Sequence, residues 1–397
     1  MHLTKEEERI YEGEEGWTKK KAMEILVAIG DINNASELIP IASAHMSGVS
    51  YKTIGDAFEF INRLEGTVEV KSTLNPMGMD REKWTEMNIS EKFANKQNAV
   101  FAAYKHLGIA TVCSCTPYLL AGGAPKKGEH IAWAESSAVL FANSVIGART
   151  NMEGAPSALA AALIGKTPCY GLHLTENRVP ELKINVNCSL ADADYSALGY
   201  LIGDLVGDKI PIIELSYANS PSRDDLKHLS AAIGATGSIG LYHIQNITPE
   251  AVAARTEPAF EPGAKMELGT SDLDEVYARD CEPDVIAIGC PHCSSEEIKR
   301  IYELLQAESK GRKIKQEFFI FTAREIKNQP QMQHIIEKIE NYGVKVICDT
   351  CFVVSPAFEN YECVLTNSGK MLRYVPLICG CAKAKLCRTD ECVKAAF

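Results

Sequence analysis

The 397-residue chain has no apolar run approaching the ~18 residues of a membrane-spanning helix, so no span is expected. Its opening, Met1-His2-Leu3-Thr4-Lys5-Glu6-Glu7-Glu8, lacks the apolar core of a secretory signal, and the expected location is cytoplasmic. Positive charge is in deficit: 41 Lys and Arg against 52 Asp and Glu leave a formal net charge of −11. That balance argues against duplex nucleic acid or an anionic membrane as the main partner, while a locally basic pocket for a small anion stays open. Common nucleotide and metal signatures are missing too. Gly165-Lys166-Thr167 ends like a P-loop, but the earlier glycine position holds Ala160. Gly234, Gly237 and Gly240 do not keep the dinucleotide spacing, and neither a zincin helix nor an EF-hand loop occurs. Asn88, Asn187 and Asn246 begin glycosylation triplets that carry no meaning in a cytosolic chain.

What the chain has in surplus is sulfur. Fourteen cysteines in a chain of this size, 46% hydrophobic overall, call for an explanation. In a reducing compartment a disulfide framework is not expected, which leaves buried thiols, metal ligands or a reactive thiolate.

The length supports two or three packed domains. Ile54, Ala57, Phe58, Ile61 and Leu64 recur at helical spacing, with Gly66 as the stop, and Lys92 to His106 reads the same way. Short β-branched runs, Thr67–Val70 and Ile109–Val112, read as strands. Further on, strand and helix alternate. Ile210–Leu215 precedes Arg223–Ile233, Asp284–Gly289 precedes Ser295–Gln306, and Glu317–Phe321 precedes the amphipathic stretch Arg324–Asn341. Val344–Ile347 and Cys363–Leu365 follow as strands. This alternation predicts an α/β fold of several mostly parallel sheets flanked by helices. Pro249 to Ser271 has the weakest periodicity and is the expected lobe boundary or surface excursion, giving lobes of 1–275 and 276–397.

Three cysteine pairs share one address. Ile109–Val112 runs into Cys113-Ser114-Cys115, Asp284–Gly289 into Cys290-Pro291-His292-Cys293, and Val344–Ile347 into Cys348-Asp349-Thr350-Cys351. Ligands of open α/β sheets collect beyond the carboxyl ends of the strands, so thiols carried there by three strands can converge. Four cysteines close a metal site, whereas three leave a position open for water or substrate. An iron–sulfur cluster held by three would leave one iron exposed as a Lewis acid. Within each pair either cysteine can serve, so Cys113, Cys293 and Cys348 stand as alternatives. A separate group, Cys379, Cys381, Cys387 and Cys392, suits a small zinc knot, a second cluster or packing in the terminal helix region.

Polar turns recur at the same kind of position. Ser43 to Tyr51 follows the run Leu38–Ile41, Thr73-Leu74-Asn75-Pro76 follows another strand, and Ala134-Glu135-Ser136-Ser137 opens a helix. Asn367-Ser368-Gly369-Lys370 closes the strand from Cys363 with a glycine and a cation. Hydroxyls, backbone N–H groups and a lysine gathered at strand ends can hold an anion.

Together these segments resemble the aconitase X family, in the large subunit of its two-chain form. The resemblance rests on Ser-Ala-His-Met-Ser-Gly-Val-Ser-Tyr at 43–51, Thr-Leu-Asn-Pro at 73–76, Cys-Thr-Pro-Tyr at 115–118 and Ala-Glu-Ser-Ser at 134–137. It continues with Gly-Cys-Pro-His at 289–292, Asp-Thr-Cys at 349–351 and Asn-Ser-Gly-Lys at 367–370. It implies an aconitase-like fold and a hydro-lyase with an iron–sulfur cluster, [4Fe-4S], held by Cys115, Cys290 and Cys351. Gly48, Val49, Ser50, Asn75, Pro76, Glu135, Ser136 and Lys370 become the implied substrate contacts. The implied reaction is dehydration of (R)-5-phosphomevalonate to trans-anhydromevalonate 5-phosphate in a modified mevalonate pathway. A small partner subunit, carrying a swivelling domain and the serine that accepts the proton, is expected as a separate chain. Two other expectations stay open: dehydration of another hydroxy acid such as cis-3-hydroxy-L-proline, and a non-catalytic zinc-bound scaffold.

Overall fold

The structure, a computed structural model, describes residues 1–216, 220–251, 265–279, 281–380 and 383–397. Three parallel sheets carry most of it. The first region holds β1 (Leu38–Pro40), β2 (Ser43–Met46), β3 (Lys71–Leu74), β4 (Ala132–Trp133) and β5 (Lys166–Pro168). Here β3, β2 and β4 form a parallel sheet in that order, and β1 pairs antiparallel with β5. The second sheet contains β6 (Leu182–Val186), β7 (Pro211–Leu215), β8 (His243–Ile244) and β9 (Lys265–Leu268), ordered β8-β7-β6-β9 and all parallel. The third has β10 (Val285–Cys293), β11 (Glu317–Thr322), β12 (Lys345–Cys348), β13 (Cys363–Thr366) and β14 (Lys383–Leu386), again all parallel, in the order β12-β11-β10-β13-β14.

The third sheet shows why such strands read as unbroken apolar runs. All nine residues of β10 are buried, because parallel strands joined by helices are covered on both faces. Alternate residues separate into two cores. Val285, Ala287, Phe319 and Phe321 join the large central core. Ile286, Ile288, Phe318 and Ile320 face a second core with Ile298, Ile301 and Leu305 of the helix Ser295–Ser309 and Met332, Ile336 and Ile339 of Pro330–Asn341. Each such side chain removed from water contributes roughly 1.5–3 kcal/mol before the entropy cost of ordering it.

The expected α/β architecture is present, with local differences. The helix expected from Ile54 to Leu64 is three short pieces, Tyr51–Ile54, Gly55–Ala57 and Phe58–Asn62, because Gly55 sits at φ +55°. Thr67–Val70 is not a strand: Val68 and Glu69 donate instead to the carbonyls of Leu107 and Ala162, and the strand begins at Lys71. Ile109–Val112 runs beside β3 through Ala110 to Ser72 and Leu74 to Val112, with one isolated bridge at Cys113 and no regular ladder. The stretch from Arg324 breaks into Arg324–Lys327 and Pro330–Asn341, since Gln329 precedes a proline and takes an extended backbone. Of Pro249 to Ser271, residues 252–264 lie outside the described residues, and the part that follows supplies β9 and the start of the helix Thr270–Tyr277.

One cysteine pair stands in disulfide contact, and the other described cysteines are not disulfide-bonded. Cys281, just before β10, is joined to Cys363 at the start of the neighbouring β13, with Cα atoms 6.3 Å apart. Adjacent parallel strands bring the two thiols within bridging reach. No helix among the described residues is long and apolar enough to cross a membrane.

Candidate functional site

The carboxyl ends of two sheets open onto one cavity of about 370 Å³. From the first sheet, β2 delivers Ser47-Gly48-Val49-Ser50, β3 delivers Asn75-Pro76, and β4 delivers Ala134-Glu135-Ser136. From the third sheet, β10 delivers Gly289, Cys290 and His292. The turn after β12 delivers Cys351 to Val354, and the helix Gly369–Ile378 after β13 delivers Lys370, Tyr374 and Ile378. All eleven residues singled out by the resemblance line this cavity: Gly48, Val49, Ser50, Asn75, Pro76, Cys115, Glu135, Ser136, Cys290, Cys351 and Lys370.

Each cysteine loop has its own local cause. In β10, Ile288 pairs with Ile320 and Cys293 with Thr322, so Gly289 to His292 stand opposite the single residue Phe321. This bulge lifts Cys290 out of the ladder and toward the cavity. It requires Gly289, whose φ is +112° and whose missing Cβ would lie 2.2 Å from the Phe321 carbonyl oxygen.

After β12 the chain turns at Asp349, at φ +59°. That carboxylate is buried and accepts from Arg81 Nε at 2.8 Å and Arg324 Nε at 2.7 Å. Asp80, also buried, accepts from Arg324 Nη2 at 2.6 Å and from the Cys348 backbone N–H at 2.7 Å. Burial would raise the Asp80 carboxyl, but the Cys348 and Glu82 N–H groups and Arg324 bring it below its ordinary value. Cys351 is then fixed by its N–H to the Met77 carbonyl at 3.0 Å.

The third thiol, Cys115, is buried and accepts the backbone N–H of His292 at 3.2 Å. Burial raises all three thiols above their ordinary value, Cys290 to about 12, although Lys370 pulls each downward.

The alternatives within each pair point elsewhere. Cys113 packs in the central core and Cys293 in the second core, Cys348 is fully buried, and none of them lines the cavity. Of the terminal group, Cys379 belongs to the central core and Cys387 and Cys392 to the second, Cys381 lies outside the described residues, and among the described residues no metal-holding group of His, Cys, Asp or Glu is found.

Lys370 and Glu135 form a buried ion pair on the cavity wall. Glu135 also accepts from Asn75 Nδ2 at 2.6 Å and from the Ser137 hydroxyl at 2.9 Å. Burial alone would raise the Glu135 carboxyl; Lys370 and these hydrogen bonds overcome it and hold the group at about 2. In return Glu135 overcomes the burial that would lower Lys370 and keeps it protonated. Gly48 sits at φ +71°, with Ala155 Cβ 3.1 Å from where a side chain would begin. Ser50 donates its hydroxyl to the Val354 carbonyl at 2.7 Å, tying the β2 loop to the loop after β12.

Three soft thiol donors on separate loops around an open cavity, with no fourth cysteine among the described residues lining it, fit an iron–sulfur cluster. Among the described residues no three His, Cys, Asp or Glu side chains close around one point as they do for a single ion.

Sequence reasoning did not single out His292, Asp80, Arg81 or Arg324. His292 was visible inside the Gly-Cys-Pro-His motif, but its partners come from distant loops. Asp80 and the two arginines carry no local signal at all.

Three family models cover nearly the whole chain: aconitase X first domain over residues 1–176, second domain over 180–278 and third domain over 283–397. The cavity draws on residues matched by the first and third of these and on none matched by the second. A phosphomevalonate dehydratase large subunit of Methanosarcina mazei is 52% identical, over 100% of this chain and 97% of that protein. The protein so named in Methanothermobacter thermautotrophicus is 44% identical over 96% of this chain and 95% of its own length. A cis-3-hydroxy-L-proline dehydratase of Hypocrea jecorina is 31% identical over 96% of this chain, but over only 66% of its own length. The crystal structure of Thermococcus kodakaraensis aconitase X in its holo-form superposes with a TM-score of 0.91 at 44% identity, over the whole of both chains. The chain belongs to the aconitase X family.

Proposed function

We propose that this chain is the large subunit of a hydro-lyase that removes water from (R)-5-phosphomevalonate, giving trans-anhydromevalonate 5-phosphate in a modified mevalonate pathway. The observation that carries the reading is the gathering of Cys115, Cys290 and Cys351 with Lys370 and Glu135 on one cavity. The relatives matched along nearly their full length at 44–52% identity bear this name. The hydroxyproline dehydratases match at 31%, along two thirds of their length. Cys115, Cys290 and Cys351 would hold a [4Fe-4S] cluster. Such a cluster supplies one iron without a protein ligand, a Lewis acid toward the departing hydroxyl.

The chain's own residues bind and orient. Lys370, kept charged by Glu135, faces the substrate carboxylate or phosphate. Asn75 holds Glu135 in place from the other side. Ser50, whose proton is committed to Val354, keeps lone pairs to accept a bond from the substrate. Gly48 and Val49 bring backbone against it, with Pro76 and Ser136 completing the wall.

Two candidate bases among the described residues that line the wall are poorly suited. Glu135, at about 2, is too weak, and both His292 nitrogens are already engaged. This supports a proton acceptor arriving from outside, namely the serine of a swivelling domain on a small partner subunit. The test is the two-chain complex reconstituted anaerobically with iron and sulfide. Cys115→Ala is expected to lose acid-labile sulfide and dehydration of (R)-5-phosphomevalonate, and Cys113→Ala to keep both. Full activity in Cys115→Ala contradicts the ligand assignment, and preferential turnover of cis-3-hydroxy-L-proline contradicts the substrate.

A further inference from the structure

His292 is nearly inaccessible, yet every polar group it owns is used, and together they reach three other parts of the chain. Its backbone N–H donates to Cys115 Sγ at 3.2 Å. Its Nδ1 meets the Ser114 hydroxyl at 3.2 Å, and its Nε2 meets the Thr350 carbonyl at 2.8 Å. Its own carbonyl accepts from Lys227 Nζ at 3.3 Å. A carbonyl only accepts, so Nε2 carries the ring hydrogen; Nδ1 of the neutral ring is then an acceptor, and Ser114 must donate to it. One ring in one tautomer thus bridges the Cys115 loop and the Cys351 loop, while its own backbone belongs to the Cys290 bulge. Lys227 anchors that bulge from behind: it is fully buried and paired with Glu297, which in turn accepts from the Ser294 N–H at the start of the next helix.

We infer that His292 is the positioning residue that sets the mutual placement of the three cysteine loops, acting through Ser114 and Thr350 and not by touching substrate. The inference rests on the reading of Cys115, Cys290 and Cys351 as cluster ligands. Partners that orient metal ligands from behind are costly to remove, typically about 10- to 100-fold in affinity or activity. The ring's hydrogen bonds carry the effect, so a side chain that restores the Thr350 link should restore much of the hold.

The experiment measures the rate of iron release to a chelator from the reconstituted two-chain complex, together with its acid-labile sulfide content. His292→Phe, which fills the volume without either hydrogen bond, is expected to release iron about tenfold faster or more. His292→Gln places an amide N–H near the position of Nε2 and is expected to fall between His292→Phe and the parent. Release from His292→Phe at the parent's rate overturns the inference. If His292→Phe yields no folded complex, Ser114→Ala decides, since it removes one link and leaves the ring in place: faster release supports the inference and an unchanged rate overturns it. A parent complex that takes up no sulfide overturns the three-cysteine reading itself, and the inference with it.

Discussion

Replacing Lys370 with methionine isolates the charge balance on the cavity wall. Lys370 and Glu135 are each about one-tenth exposed and contact one another. The Glu135 carboxyl, which burial alone would push above its ordinary 4.5, is held at about 2 by Lys370 with help from Ser137 and Asn75. That depression corresponds to about 3 kcal/mol of stability at neutral pH. Removing one member of a buried pair typically costs about 3–5 kcal/mol, so the two routes agree. The native pKa lies below the unfolded one; the contribution is therefore complete above pH 4.5 and is lost as the pH falls toward 2. In Lys370→Met only the Ser137 and Asn75 hydrogen bonds still oppose burial, so the native pKa rises toward its ordinary value and the stabilisation at neutral pH that came from the pair is lost. The deficit of the variant is greatest near neutral pH and shrinks as the pH drops below 4.5. Urea unfolding of the iron-free large chain at the two pH values reads this directly. The double variant Lys370→Met/Glu135→Gln is expected within about 1 kcal/mol of the parent, because both charges have gone. A single variant within about 1 kcal/mol of the parent at neutral pH, or one whose deficit does not respond to acid, refutes the reasoning.

Two further outcomes follow from the loops. Gly289→Ala places a Cβ against the Phe321 carbonyl at a positive φ; it is expected to cost about 3 kcal/mol in urea unfolding and to lower iron and sulfide uptake. Uptake at the parent's level would show that the bulge does not place Cys290. Asp80→Ala strips a partner from Arg324 and from the Cys348 N–H; about 3 kcal/mol or more is expected to be lost, and an unchanged unfolding midpoint contradicts the network.

The site was more legible than the elements that carry it. Cysteines written directly after β-branched runs announce strand ends, and a parallel sheet sends those ends to one edge, so convergence could be read without coordinates. The choice within each pair could not be read from spacing, since Cys113 and Cys115 differ only in the face a short turn presents. That choice came from the family resemblance; Cys115, Cys290 and Cys351 line the cavity, and Cys113, Cys293 and Cys348 are not among its lining residues. The strands expected at Thr67–Val70 and Ile109–Val112 failed because β propensity describes a residue that fits a half-buried pleat, and here other backbone partners took the hydrogen bonds. Asp349 was read as part of a motif, but its two arginines lie 268 and 25 residues away in the chain, beyond any local pattern.

The cavity described above is walled by residues from Ser47 to Ile378, which has a consequence for how the protein is made. At about 5–20 residues per second, the ribosome needs on the order of ten to fifty seconds to pass from Cys115 to Cys351. Until the loop after β12 has been made, the Cys115 thiol lacks one wall of the cavity, so the three-cysteine site cannot be complete before the end of that interval. Completion of the cavity is therefore an event that follows synthesis of its far wall.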